Sequence, residues 1–228
     1  MPEELRVDIN EYQHVTALIY SAKPKSRAGI TLILGHGAGA GQMNGFMVSF
    51  ATELAARGID AVTFNFSYTE HGRHIPDKND KLEACYLAVI ETVRKHKKLA
   101  RNKLAIGGKS MGGRIASQVA ASGTEEVSDI AGLVFLGYPL HPPGNLEKMR
   151  SKHLPDIKAP MLFVQGSRDS FGTPDELRPI LKKLKTSAEL YVVEGGDHSF
   201  KVPKSAGVAQ AEVYKRVLDE IARWLTKG

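Results

Sequence analysis

Apolar and polar positions change period along this chain in a regular way. Near the start they alternate: Leu5-Arg6-Val7-Asp8-Ile9 and Val15-Thr16-Ala17-Leu18-Ile19-Tyr20 read as an antiparallel pair of strands. From Ile30 onward, short apolar runs take turns with helical spacing. Ile30 to Leu34 predicts a buried strand. Phe46, Phe50, Leu54 and Ala55 predict a helix closed by Gly58. Ala61 to Phe66 is the next strand, and Leu82 to Val93 the next helix. Leu104-Ala105-Ile106 leads into a small-residue helix from Arg114 to Ala121. Leu133 to Leu136, Met161 to Val164 and Leu190 to Val193 are the last three strands. Thr173-Pro174-Asp175-Glu176 carries the elements of a capping box, with Pro179 expected to interrupt the helix that follows. Ala209, Val213, Val217, Ile221 and Leu225 mark one face of a final helix. Such alternation implies an α/β fold: a mostly parallel sheet with an antiparallel N-terminal pair and helices on both faces. No internal repeat or linker divides residues 1–228, so a single domain is expected.

Composition changes this picture little. Apolar content of 42% and charged content of 25% suit an ordinary globular chain. The formal charge of +6 is concentrated in Arg94-Lys95-His96-Lys97-Lys98 and on to Arg101 and Lys103. No aromatic residue interleaves that run, so it reads as a solvated helix end rather than a nucleic-acid surface. The single cysteine, Cys85, falls on the apolar stripe of its helix and reads as core. No apolar signal region opens the chain and no apolar stretch reaches membrane-spanning length, so a cytoplasmic protein without a membrane partner is expected. The sequence leaves a protein partner or homo-oligomer open.

The candidate chemistry begins at Gly108-Lys109-Ser110-Met111-Gly112, between a strand and a helix. Gly-x-Ser-x-Gly in that setting is a nucleophile elbow, whose turn is too tight for side chains at the two glycines. A serine needs a base, and the base needs a group to orient it. In a parallel sheet the reacting groups lie beyond the carboxyl ends of the strands. Two such loops carry the right types: Gln165-Gly166-Ser167-Arg168-Asp169, and Glu194-Gly195-Gly196-Asp197-His198-Ser199. His198 is the candidate base and Asp169 the candidate acid, with Asp175, Glu194 and Asp197 as competitors. Two backbone N–H groups should bind the oxyanion. Met111 supplies one; Ala38 in the loop Gly35-His36-Gly37-Ala38-Gly39-Ala40-Gly41 supplies the other, with Gly37 or Gly39 as alternates. His36 is expected to tie that loop from below.

Two rival motifs are weaker. Gly35-x-Gly37-x-x-Ala40 fits a dinucleotide fingerprint, but the next strand ends Phe64-Asn65-Phe66-Ser67 with no acid for a ribose. Gly108-Lys109-Ser110 echoes a phosphate-binding loop whose first glycine would fall at Lys103. His71-Gly72-Arg73-His74 lacks partners with zinc spacing. No metal or other cofactor is expected.

These motifs resemble the α/β-hydrolase superfamily and, within it, the small dienelactone-hydrolase-like enzymes. Leu34-Gly35-His36-Gly37-Ala38-Gly39, Gly107 to Gly113, Tyr138-Pro139-Leu140-His141-Pro142 and Asp197-His198-Ser199 are similar to one group in particular. It includes the testis-expressed hydrolase-like protein and the hydrolase-like subunit of the NSL histone-acetyltransferase complex. The resemblance implies an α/β-hydrolase fold, a Ser110-Asp169-His198 triad and hydrolysis of a small ester. It also implies a rival role as a non-catalytic binding or scaffold subunit. Dienelactone hydrolases carry cysteine where this chain has Ser110. The connection from His141 to Ala159 has too few large apolar residues for a lid helix, so an open cleft is expected. Tyr138, Leu140 and His141 should edge it, and Lys109 reads equally as an anion contact or a structural cation.

Overall fold

The computed structural model describes residues 1–227. Eight strands form one sheet in the order β1-β2-β4-β3-β5-β6-β7-β8. The strands are β1 (Glu3–Asn10), β2 (Gln13–Tyr20), β3 (Ile30–Gly35), β4 (Asp60–Phe64), β5 (Lys103–Lys109), β6 (Gly132–Leu136), β7 (Met161–Gly166) and β8 (Ala188–Val193). β1 and β2 pair antiparallel, and β2 joins β4 antiparallel; from β4 to β8 every pairing is parallel. This is the α/β-hydrolase fold expected from the alternation. The helices are α1 (Gly45–Ala56), α2 (Ser67–Glu70), α3 (Asn79–Lys95), α4 (Met111–Ala121), α5 (Pro174–Leu181) and α6 (Gln210–Thr226).

The central strands read as continuous apolar runs because both faces are covered. Ile33, Ile106, Leu133, Phe135, Met161 and Phe163 face the layer of α3, α4 and α5. Their neighbours Leu32, Leu34, Ala105, Val134, Leu162 and Val164 face α1 and α6. The two-residue period thus sorts each strand between two cores. On α6 the buried set is Val213, Val217, Leu218, Ile221 and Trp224. A strict four-residue spacing drifts around a helix of 3.6 residues per turn, so Leu218 and Trp224 join the face while Ala209 becomes the exposed cap.

Two local expectations are corrected. β4 stops at Phe64, and Phe66 leads into the short helix α2, which no period announced. α5 runs through Pro179 without a break. The carbonyl that loses its partner there belongs to Asp175, in the exposed first turn, where it is open to solvent. The capping box before it is present, with Thr173 and Glu176 satisfying each other's backbone N–H. The basic run ends α3 and lies on the surface, where Arg94 meets Asp129, Lys95 meets Glu91, and His96 and Lys98 meet Glu3. Cys85 is fully buried, which pushes its thiol up to about 12.

The chain order turns around at β3. It steps from β3 to β4 on one side, and α3 then carries it back across to β5 on the other. Such a reversal opens a crevice beyond the carboxyl ends of the two strands flanking the switch. β3 and β5 end in register there, Gly35 opposite Gly108. The pair is pinned by Tyr86 of α3, whose buried hydroxyl accepts from Gly107 N (3.0 Å) and lies 2.7 Å from Gly107 O and 3.0 Å from Ile33 O. Tyr86→Phe leaves the Gly107 N–H unsatisfied in the core. We expect a stability loss of about 1–3 kcal/mol in denaturant titration, with Tyr12→Phe, at an exposed site, near zero as the control.

Candidate active site

Ser110 stands between β5 and α4 at φ 51°, ψ −115°, one of two non-glycine residues with positive φ among those described. The conformation is held by its surroundings. Ser110 N donates to Leu136 O (3.1 Å), and Arg114 N donates to Ser110 O (3.0 Å). A Cβ at Gly112 would overlap the Gly35 carbonyl oxygen and lie 2.8 Å from the Gly35 Cα. A Cβ at Gly108, where φ is 155°, would lie 2.8 Å from the Gly112 carbonyl carbon. The motif's glycines are therefore required by the contact between the elbow and the end of β3.

Beyond β7 and β8 two loops are fastened together. Ser167 N donates to Val193 O (3.0 Å), Arg168 N to Gly196 O (2.9 Å), and Gly195 N to Ser167 Oγ (2.7 Å). Asp169 and His198 are thereby brought to Ser110. His198 Nε2 lies 2.8 Å from Ser110 Oγ, and Nδ1 lies 2.7 Å from Asp169 Oδ2. With Nδ1–H donating to the carboxylate, Nε2 is free to accept the serine proton. Asp169 is buried, and its oxygens also receive Phe171 N (2.8 Å, on Oδ1) and Gln165 Nε2 (2.8 Å, on Oδ2). The Phe171 ring lies over the imidazole at 4.3 Å between centroids. Two residues after His198, Phe200 is buried beside Phe46 and Phe50 and anchors the loop.

The competing acids are engaged elsewhere. Asp197 Oδ1 accepts Ser199 N and Lys201 N and so shapes its own loop. The Asp175 side chain is 95% exposed beside Arg178, and Glu194 is exposed. Met111 and Ala38 both line the cleft over Ser110. Met111 N opens α4, where helix geometry supplies no acceptor, and Ala38 N has no backbone acceptor among the described residues. His36 lies beneath that loop. Its Nδ1–H donates to Gly37 O (2.8 Å), and Nε2 accepts from Phe66 N (3.2 Å). Burial lowers its pKa and keeps the ring neutral.

The cleft holds about 490 Å³ and is open to solvent, with no lid between His141 and Ala159. Its edge differs from expectation. Tyr138, Leu140 and His141 are buried and do not line it; Pro139 does. Tyr138 turns its hydroxyl inward to donate to Arg150 O (2.7 Å), with Ser117 Oγ at 3.4 Å. His141 Nε2 reaches Glu176 Oε1 (3.2 Å), tying this loop to the cap of α5. Sequence reading also passed over Gln165, a buried amide at the end of an apolar strand. Its Oε1 accepts Tyr138 N (2.8 Å), while Nε2 donates to Asp169 and Gly172 O (2.7 Å). A polar residue in that position was the available signal. Among the described residues no group of three or more His, Cys, Asp or Glu is placed to hold a metal ion, and no helix is long and apolar enough to cross a membrane.

Lys109 is 8% exposed, and its ammonium has no hydrogen-bond partner. Burial pushes it down to about 8 from 10.5, against a smaller pull from Asp169 and Asp197. Between those two values the unfolded chain holds a proton that the folded chain has shed. Stability from this group therefore rises with pH through the window, and below it the full cost of the buried charge is present. We expect Lys109→Met to raise the Tm at pH 7 by about 2–4 °C, with the gain over the parent shrinking between pH 8 and 10.5. A gain that does not shrink across paired melting curves would refute this reading.

Comparison with known proteins agrees with this fold. Residues 28–226 match the alpha/beta hydrolase domain family. An alpha-beta serine hydrolase homologue from Coxiella burnetii superposes with a TM-score of 0.71 at 19% identity, covering 99% of this chain and 96% of that one. A dienelactone hydrolase from Anabaena variabilis gives 0.71 at 20% identity, with the same coverage of 99% and 96%. A serine hydrolase without a lid from Xanthomonas campestris gives 0.68 at 20% identity over 94% of both chains. At these identities the structural likeness speaks for the fold.

Proposed function

The chain belongs to the alpha/beta hydrolase domain family, and from that premise we propose that it is a serine hydrolase cleaving small carboxylic esters through an acyl-enzyme on Ser110. The observation that carries this is the continuous hydrogen-bonded line from Ser110 Oγ through His198 to the buried Asp169 carboxylate. Ser110 Oγ attacks the ester carbonyl while His198 Nε2 takes its proton. Asp169 holds the imidazole in the Nδ1–H tautomer and stabilises the imidazolium. The N–H groups of Met111 and Ala38 receive the oxyanion, each worth about 3 kcal/mol of transition-state stabilisation. Collapse breaks the carbonyl–oxygen bond, and the leaving alkoxide takes the proton from Nε2. Water then repeats the sequence: His198 accepts its proton, its oxygen attacks the acyl carbon, and Ser110 leaves with the proton restored. Every step is supplied by side chains and backbone of this chain.

Strain supports the same reading. A serine held at positive φ costs about 1–3 kcal/mol that an ordinary strand-to-helix turn would not need. Within the family, the Tyr138-Pro139-Leu140-His141-Pro142 loop supports a position in the group that includes the NSL-complex subunit. The lidless cleft of about 490 Å³ favours short acyl chains over lipids.

A fluorophosphonate probe should label the protein and fail to label Ser110→Ala; equal labelling of both sinks the nucleophile assignment. Failure to label the parent protein favours a binding subunit over an enzyme. Asp169→Asn should lower kcat by about 10⁴-fold, while Asp175→Asn leaves it near the parent value. On 4-nitrophenyl esters the rate should fall from acetyl or butyryl to palmitoyl. A steady rise with chain length contradicts the short-substrate reading.

A further inference from the structure

Three cationic side chains line the cleft around Ser110: Lys109, Arg114 and Arg150. The one carboxylate among the lining residues, Asp77, is already taken by Arg73 at 2.7 and 3.1 Å. Most other arginines sit on carboxylates, as Arg27 does on Asp60 and Arg57 on Glu53, and Arg101 and Arg168, which do not, are exposed to solvent. Arg114 and Arg150 are different. Among the described residues, neither has an acid within ion-pair distance. The Arg114 guanidinium donates to neutral oxygens, Asn79 Oδ1 (3.2 and 3.3 Å) and Gln118 Oε1 (3.0 Å). Arg150 reaches only Pro139 O, at 3.4 Å. Glu83 acts on Arg114 from beyond ion-pair range, and Arg150 opposes it as a like charge. Both arginines are half-buried, so each carries a desolvation cost that no acid at ion-pair distance offsets.

The placement is built rather than incidental. Arg114 follows Ser110 by one helical turn, with its N bonded to Ser110 O. Arg150 arrives from the loop after β6, and its backbone is clamped on both sides. Its N donates to Leu140 O (2.8 Å), and its O accepts the buried Tyr138 hydroxyl (2.7 Å). Ser117 Oγ, one turn further along α4, bonds His153 Nε2 (2.7 Å) and secures the end of the same loop. Two guanidiniums from different elements, near enough to repel one another, thus line a cleft to which Phe46, Met47 and Ala38 contribute apolar surface.

We propose that Arg114 and Arg150 form an anion subsite, and that the ester substrate carries a carboxylate, as in a hemiester of a short dicarboxylic acid. The substrate class rests on the hydrolase reading above; the subsite does not. A planar carboxylate offers two oxygens to the forked N–H donors of a guanidinium. It supplies the ion-pair partner that the two guanidiniums lack.

The test compares mono-4-nitrophenyl glutarate with 4-nitrophenyl pentanoate, close in length and differing in charge. The kcat/KM ratio should favour the glutarate by about 10-fold or more, the scale of a charge-assisted hydrogen-bonded pair. Arg150→Gln and Arg114→Gln should each pull the ratio toward one, as should added salt. Arg178→Gln, on α5 and paired with Asp175, should leave it unchanged. Free glutarate should bind Ser110→Ala in calorimetry and lose about 10-fold in affinity when Arg150→Gln is added. A ratio at or below one in the parent, or a preference that survives both arginine substitutions, overturns the subsite; so does a failure of glutarate to bind. Arginine-dependent binding of glutarate without turnover of any ester upholds the subsite and removes the hydrolase reading instead.

Discussion

Everything at the reactive end of this molecule depends on one backbone contact. The carbonyl of Gly35, at the end of β3, packs directly on Gly112 at the start of α4, with Gly108 against the same group. No side chain fits between them. The first turn of α4 is therefore pressed against the loop that leaves β3. Met111 and Ala38 then line one volume. The same contact keeps Ser110 in a backbone region that costs about 1–3 kcal/mol. The hydrogen bond from Ser110 N to Leu136 O and the Tyr86 hydroxyl set between β3 and β5 help hold it there.

Around that contact, buried polar groups are satisfied by one another across long sequence separations. Gln165 joins the loop after β6, the Asp169 carboxylate and the carbonyl of Gly172. Because Asp169 also receives Phe171 N and the histidine, an ion sits in the interior without being an uncompensated charge. Tyr138 belongs to the same system. Its backbone meets Gln165 and its hydroxyl meets Arg150 O, so one residue links the orientation of the acid to the wall of the cleft. A network of this kind is rigid only while complete.

Charge is distributed to opposite effect outside and inside the cleft. The net excess of +6 is concentrated in a run that faces solvent, where its members meet surface acids and contribute little. The cations that matter physically are few: Lys109 beneath the elbow, without a hydrogen-bond partner, and Arg114 and Arg150 beside the serine, without a carboxylate. Each is desolvated, and the last two repel one another.

The sequence by itself determined the layers and the positions of the central strands. A two-residue period with apolar residues in both phases requires a sheet covered on both faces, so β3 and β5 to β7 were legible. So was the antiparallel opening pair, whose outer strand buries one face only. Because chemistry in such a sheet collects at the carboxyl ends of the strands, Ser110, Asp169 and His198 could be named from their positions there. Cys85 could be set aside as core for a similar reason. What only the tertiary structure decided lies in segments without a period. Tyr138 and His141 looked like cleft residues but turn inward, because Arg150 O and Glu176 wait for them there. Gln165 looked like the polar end of a strand, and its partners come from two separate stretches of chain, the loop after β6 and the loop from Asp169 to Gly172. Arg114 and Arg150 are far apart in sequence and meet only because α4 and the loop after β6 converge. Periodicity records which face of an element meets the core. The direction of a loop side chain is set by hydrogen-bond partners that folding brings to it.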